Sequence, residues 1–250
     1  KLKELRLPAL FVKSGNEDGN SQTLVSDAAR SDLTQALYKL DSNFRAGKAA
    51  GFSSCRIPLH NLVDEIVFNQ RMSLDAADIR FQNDQIYGHM VNVCIVAVKI
   101  GLEMGYNQLK LAELAYGVIF HDIGMVKIPV DILNRIGGLT NEETRLIQTH
   151  PKTGYELLRQ SPDVSAASAH VAYEHHERFN GSGYPRGLVG EAIHEYARIT
   201  AVADVYDAMC TEKIYRPAKT VPEIVDYLQN ESGNAFDPNV VEIFTKVIAH

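Results

Sequence analysis

Residues 174–185 read EHHERFNGSGYP, the segment that carries the most information about the fold and the chemistry of this chain. It places two adjacent histidines beside carboxylates and ends in a glycine-framed Tyr184–Pro185. Upstream, the segment IFHDIGMVKIP at residues 119–129 contains a second pair, His121–Asp122. Such polar groups are costly to bury in a helical core unless they are paired or bind a metal. Imidazole and carboxylate ligands suit iron, manganese or zinc, so the two segments predict a multinuclear metal hydrolase.

Composition and charge narrow the class of protein. The chain has 250 residues, of which 45% are hydrophobic, enough for one large domain or a domain with a smaller appendage. Its net charge of −6 argues against a nucleic-acid binder, so no DNA or RNA duplex is expected as a partner. Three scattered cysteines, Cys55, Cys94 and Cys210, indicate free thiols and a cytoplasmic location.

No segment is expected to cross a membrane. A spanning helix needs about 18 to 20 consecutive apolar residues, and the most apolar stretch, residues 91–100, contains Asn92 and Lys99. No secretory signal is visible. Because the chain begins at a lysine, we expect that an upstream segment is missing, and a sensory domain is expected there.

Residues 1–75 are predicted to form an N-terminal segment and helical linker, the tail of an upstream domain. Residues 1–14 fit the end of a helix and a short strand, and residues 15–22 fit a polar loop. Apolar residues recur at helical spacing over residues 23–46, and Pro58 suits a helix start. We place the boundary between residues 70 and 84, so that residues 76–250 form the main domain.

The main domain is predicted to be all-α. His89 shares an apolar helix face that extends to residue 104, and His121 points inward near the C-terminal end of the next helix. Thr140 and Glu143 form a capping box that opens a helix over residues 141–150, and Pro151 marks the start of another. Further helices are predicted over residues 166–176, 196–211, 221–228 and 238–249.

The order of these motifs resembles the HD-GYP family, a branch of the HD phosphohydrolase superfamily. The resemblance covers residues 80–250 and rests on four ordered segments: HDIGMVKIP, HPKTGYELL, EHHERFNGSGYP and ARITAVADVYDAMCTEKIYR. It implies an HD-type helical bundle that hydrolyses cyclic di-GMP to linear pGpG, with GMP as a further product. A paired metal site would lower the pKa of a bridging water, the attacking hydroxide in this family.

The resemblance also implies a role for each matching residue. The metal ligands are expected to be His89, His121, Asp122, His150, His175, His176 and Asp204. Asp122 would bridge two divalent ions, with iron or manganese preferred and zinc or nickel as alternatives. Asp122 and Asp207 are the expected catalytic residues. The role of Asp207, orienting a ligand or handling a proton, is inferred from its position three residues after Asp204 on the same helical face. The expected substrate contacts are Gly181, Tyr184, Pro185, Lys213 and Arg216. Glu177 is expected to orient a histidine or to pair with Arg178 or Arg186.

Three positions depart from the family pattern. Gln85 occupies the site of a glutamate that binds a third metal in some members, so two ions are expected here. Met125 replaces a lysine that usually meets the substrate phosphate, and Lys127 lies two residues further on. Asn180 replaces the usual aspartate before Gly-x-Gly, a milder change.

Two alternative functions stay open, and Met125 favours the first of them. One is a catalytically weak or inactive module that binds a cyclic dinucleotide, which the complete ligand set opposes. Another is a general nucleotidase for mononucleotides, which the Gly-Tyr-Pro segment opposes. Among cyclic dinucleotides, cyclic GMP-AMP is the alternative substrate, and a homodimer is a further expectation.

Overall fold

Helices provide the regular secondary structure of this chain wherever its computed structural model describes it, namely residues 23–48, 51–75, 85–133, 135, 137–211 and 217–248. The helices are α1 (Asp27–Arg45), α2 (Arg56–Phe68), α3 (Gln85–Glu103), α4 (Gln108–Val118), α5 (Val130–Leu133), α6 (Asn141–Ile147), α7 (His150–Leu158), α8 (Ala166–Glu174), α9 (Glu195–Cys210), α10 (Val221–Asn230) and α11 (Pro238–Val247). The predicted all-α fold is confirmed. The expected strand and loop at residues 1–22 lie outside the described residues.

Local capping explains where several helices begin. The predicted capping box is present: the amide of Glu143 donates to the Thr140 hydroxyl at 3.2 Å, and the amide of Thr140 donates to the Glu143 carboxylate at 2.8 Å. The helix that it opens is shorter than predicted. It ends at Ile147, because Gln148 and Thr149 form a turn before His150 begins α7.

Helix α3 lies at the centre of the core. Its middle, residues 90–101, is buried throughout, and it packs against α1, α2, α4, α9 and α11. By length and composition α3 passes as a membrane-crossing helix, yet 72% of the qualifying window, residues 86–103, is buried inside the protein. Its apolar character is therefore accounted for by core packing.

The N-terminal segment shares this core. Leu33 and Leu37 of α1 and Leu62 of α2 belong to the same hydrophobic cluster as Val93 and Val96 of α3. The division between residues 75 and 76 stays a prediction, and packing is continuous across it. All three cysteines are free thiols.

Candidate metal centre

Within the described residues, two clusters of side chains could hold a metal ion, and the first joins α3, α9 and the turn after α4. It contains His89, His121 and Asp204, whose ligand atoms lie within 4.8 Å of one another. The Nε2 atom of His89 is 3.2 Å from an Asp204 carboxylate oxygen. His121 is only 1% exposed, and so it faces inward as predicted.

The second cluster contains Asp122, His150, His175 and His176, again within 4.8 Å of one another. One oxygen of Asp122 lies 3.1 Å from Nε2 of His150 and 3.5 Å from Nε2 of His175. Its other oxygen lies 3.6 Å from Nε2 of His121, in the first cluster. Asp122 therefore stands between the two groups.

Backbone carbonyls orient three of the histidines in the same way. Nδ1 of His121 donates to the carbonyl of Val118, the last residue of α4, at 2.8 Å. Nδ1 of His150 donates to the carbonyl of Ile147, the last residue of α6, also at 2.8 Å. Carbonyls at a helix C-terminus lack partners within the helix, so they are available for this role.

His175 follows the same rule, since its Nδ1 donates to the carbonyls of Val171 and Ala172 near the end of α8, both at 3.1 Å. A proton fixed on Nδ1 leaves the Nε2 lone pair directed at the cluster. That arrangement orients metal-binding histidines in proteins.

The charges of the clusters suit cation binding. Burial lowers the pKa of His121 to about 4 and that of His176 to about 3, so both rings are neutral near pH 7. For Asp122, burial opposes ionisation, but the neighbouring His121 and His150 outweigh it and hold the pKa well below its usual value. Burial also opposes protonation of His89 and His150, but Asp204 and Asp207 beside His89 and Asp122 beside His150 outweigh it and raise the pKa of both rings. A metal ion at these two histidines would therefore displace a proton, because imidazole binds metal in its neutral form.

One buried atom tests whether a metal fits. Nε2 of His121 is buried and has no hydrogen-bond partner among the described residues. Leaving such an atom unsatisfied costs about 1–3 kcal/mol, and a metal ion would satisfy it. Nitrogen and oxygen donors at these positions fit divalent ions of the borderline class.

Glycines permit the close approach of the backbone segments that carry the ligands. A Cβ atom at Gly124 would lie 2.1 Å from the carbonyl oxygen of His150, so only glycine lets α7 approach the turn after Asp122. A Cβ atom at Gly183 would lie 2.3 Å from the amide nitrogen of Arg178. The following residue, Tyr184, stacks on the ring of His176 with centroids 4.8 Å apart and planes 22° apart.

Comparison with protein families matches residues 69–240 to the family described as HD domain. This chain belongs to the HD domain family. Its sequence is 35% identical over 183 residues to the cyclic di-GMP phosphodiesterase response regulator RpfG of Xanthomonas campestris pv. campestris (strain 8004), covering 72% of this chain and 48% of that protein. It is 29% identical to the 3'3'-cGAMP-specific phosphodiesterase 2 of Vibrio cholerae serotype O1, covering 75% of this chain and 35% of that protein.

A solved structure shares the fold. Bd1817, a HDG"Y"P protein from Bdellovibrio bacteriovorus, matches with a TM-score of 0.71 at 17% identity, covering 92% of this chain and 74% of that one. The family match and the relatives named as cyclic di-GMP phosphodiesterases, together with this shared fold, confirm the resemblance to the HD-GYP branch. The HD domain chain spans about half the length of the curated relatives it matches first.

The structure describes some of the remaining predicted site residues of the HD domain, and others lie outside the described residues. Gly181 has a positive φ of 84°, Tyr184 borders the second cluster through His176, and Pro185 is exposed. Met125 is partly exposed in the 3-10 turn Ile123–Lys127, and Lys127 is exposed. Lys213, Arg216 and the side chain of Gln85 lie outside the described residues, so their roles stay predictions.

The structure corrects the expectation for Glu177. Its carboxylate accepts the backbone amides of Arg186 at 2.7 Å and Leu188 at 3.0 Å. It therefore holds the chain that follows Pro185, and neither a histidine nor an arginine side chain is its hydrogen-bond donor in the described part of the chain. The reason is local, since two amides of one loop converge on a carboxylate that is only 3% exposed.

The sequence analysis did not identify Asn92 and Arg30, two buried polar residues behind the first cluster. Asp207 accepts hydrogen bonds from Nδ1 of His89 at 2.5 Å and from the side-chain Nδ2 of Asn92 at 2.8 Å. The guanidinium of Arg30 in turn donates to the side-chain Oδ1 of Asn92 at 3.2 Å. Asn92 follows His89 by one helical turn, and Arg30 interrupts the apolar face of α1; both signals were present in the sequence.

Proposed function

We propose that this HD domain is a metal-dependent phosphodiesterase that hydrolyses cyclic di-GMP to linear pGpG. The observation that carries the proposal is the position of Asp122, whose two oxygens face histidines of both clusters at 3.1–3.6 Å. The names of curated relatives as cyclic di-GMP phosphodiesterases support the substrate class. The three free thiols support a cytoplasmic site of action.

The ligand set supports two divalent ions. His89, His121 and Asp204 would hold one, and His150, His175 and His176 would hold the other, with Asp122 shared. When bound, such ions supply Lewis acidity and lower the pKa of water, the requirements of phosphodiester hydrolysis. Iron or manganese is the proposed metal, with zinc or nickel as alternatives, because mixed imidazole and carboxylate donors admit all four.

The protein's own groups bind and orient the substrate in this proposal. Tyr184 stacks on His176 at the edge of the second cluster, where its ring can border a nucleotide. Gly181, Gly183 and Pro185 shape that edge, and Lys213 and Arg216 are proposed to contact phosphate through charge-assisted hydrogen bonds. Asp207 orients His89 through its Nδ1 proton, the usual role of a carboxylate behind a metal-binding histidine.

A second candidate function is binding without turnover, and Met125 is the observation that favours it. A thioether cannot replace the charge-assisted contact of a lysine with phosphate. In either function the nucleotide bound is cyclic di-GMP. Cyclic GMP-AMP is the alternative, since one relative is named for that nucleotide.

An anaerobic turnover assay separates these functions. Protein loaded with Mn²⁺ or Fe²⁺ is incubated with cyclic di-GMP, cyclic GMP-AMP or a mononucleotide, and the products are resolved by chromatography. Formation of pGpG that Asp122→Asn abolishes is the expected result. Binding of cyclic di-GMP by fully metal-loaded protein without product would instead establish the receptor function. Faster hydrolysis of mononucleotides would overturn both.

A further inference from the structure

Four buried or partly buried side chains connect helix α1 to the first metal cluster. The Arg30 guanidinium donates to the Asn92 oxygen at 3.2 Å, and the Asn92 amide nitrogen donates to Asp207 at 2.8 Å. The other Asp207 oxygen lies 2.5 Å from Nδ1 of His89, whose Nε2 faces Asp204. Arg30, Asn92 and Asp207 are 1%, 4% and 3% exposed, so water does not compete with these contacts.

Helical periodicity builds this arrangement. His89 and Asn92 are one turn apart on α3, and Asp204 and Asp207 are one turn apart on α9. The two helices pack directly against each other. This packing places His89 beside Asp204 and Asn92 beside Asp207. Arg30 reaches Asn92 from α1. It lies outside residues 69–240, which match the HD domain family.

The hydrogen-bonding polarity runs in one direction. An arginine side chain can only donate, so the oxygen of Asn92 must face Arg30 and its NH₂ group must face Asp207. Carboxylate oxygens accept hydrogen bonds, so Nδ1 of His89 donates to Asp207 at 2.5 Å. Nε2 of His89 lies 3.2 Å from Asp204, on the side of the ring that faces the first cluster.

We propose that Arg30 is a positioning residue for the metal centre. By fixing the amide orientation of Asn92, it fixes Asp207 and through it the tautomer and ring orientation of His89. This inference rests on the proposed metal-dependent function, and it makes helix α1 a working part of the centre. A purely structural role predicts a lower unfolding temperature with unchanged Mn²⁺ binding, because removing one member of a buried polar contact leaves its partner unsatisfied.

The inference is tested by titrating the metal-free protein with Mn²⁺ and measuring binding by calorimetry or electron paramagnetic resonance. Arg30→Met keeps the length of the side chain and removes its donors. We expect it to raise the dissociation constant of one ion about three- to tenfold and to leave the other within twofold. The reference is Asp207→Asn, where loss of the direct partner of His89 should weaken one ion about 10- to 100-fold.

Arg198→Met is the matched control. Arg198 is a largely buried arginine that donates to Asp237 at the start of α11 and is not part of the chain of contacts to His89. It should lower the unfolding temperature without changing either Mn²⁺ dissociation constant. The double variant Arg30→Met/Asp207→Asn should bind Mn²⁺ no more weakly than Asp207→Asn alone, because the effect of Arg30 passes through Asp207.

Three results would overturn the inference. Unchanged Mn²⁺ binding in folded Arg30→Met removes Arg30 from the centre while leaving the metal proposal intact. Additive losses in the double variant show that Arg30 acts by another route. Absence of Mn²⁺ binding in the unmodified protein defeats the proposed function itself. Should Arg30→Met fail to fold, Asn92→Leu breaks the same connection, and unchanged binding there is equally decisive.

Discussion

Replacing Gly124 with alanine should disrupt the metal centre without touching any ligand. The added Cβ would lie 2.1 Å from the His150 carbonyl oxygen and 2.8 Å from the Gly154 amide nitrogen. The first of these falls about 1.3 Å short of an ordinary 3.4 Å contact, and both obstacles are backbone atoms that cannot rotate away. The start of α7 must therefore move away from Asp122.

This displacement acts where the second cluster is assembled. His150 lies 3.1 Å from Asp122, which precedes Gly124 by two residues. Overpacking of this kind costs about 1–3 kcal/mol of the free energy of unfolding, or about 2–4 °C per kcal/mol in the unfolding temperature of a domain of this size. Misplacing reacting groups by about 1 Å can cost 100-fold in rate. We expect Gly124→Ala to fold, to bind metal more weakly and to lose about 100-fold in turnover.

Gly154→Ala is the control across the same contact. Its Cβ would meet the amide of Gly124 at 3.3 Å and the side chains of Ala172 and Ile123 at 3.4 Å, distances that small adjustments accommodate. Alanine also favours the helix by about 1 kcal/mol. Calorimetric unfolding, metal titration and turnover of both variants provide the comparison. Equal turnover in Gly124→Ala and Gly154→Ala would refute the argument that glycine at 124 sets the distance between His150 and Asp122.

Three further predictions concern the proposed chemistry. Purification under metal-replete, reducing conditions should give about two metal ions per chain by elemental analysis; a metal-free chain would contradict this. Asp122→Asn should weaken both ions and abolish hydrolysis while circular dichroism stays helical, whereas normal activity would exclude its shared position. The unmodified protein should turn over slowly and stop mainly at pGpG. Met125→Lys should raise the rate about ten- to 100-fold, since one charge-assisted contact contributes about 1.5–3 kcal/mol. Rapid conversion of cyclic di-GMP to GMP by the unmodified chain would show that neither Met125 nor Gln85 limits it.

The sequence predicted the helices and the grouping of ligand types because both depend on local patterns. Thr140 and Glu143, which lie within one four-residue segment, predict a helix start, and the capping box is present as predicted. His121–Asp122 and His175–His176 are adjacent pairs, which place at least two donors in one region of the fold. Hydrophobic periodicity does not show which helices pack together, so it could not predict that α3 packs on α9 or that His89 contacts Asp207.

Side-chain partners that cross between helices were the least predictable feature. Glu177 was expected to serve a histidine or an arginine, but two loop amides take its carboxylate. In the sequence, Asn92 only indicates that the apolar stretch around it is not a membrane span, although it lies one turn from His89. Arg30 lies beside the apolar positions 29, 33 and 37 of α1. A cation on a buried face requires a polar partner, and only the packing of α1 on α3 identifies it.

His89 is oriented by a different kind of partner from His121, His150 and His175. In the second cluster, His150 and His175 are oriented by backbone carbonyls near helix ends, and such acceptors are independent of side-chain identity. His121 is held likewise, by the carbonyl of Val118. His89 is the exception, because its Nδ1 depends on the side chain of Asp207 and, behind that, on Asn92 and Arg30. Substitutions outside the ligand set should therefore tune the ion bound by His89 far more readily than the ion bound by His150 and His175.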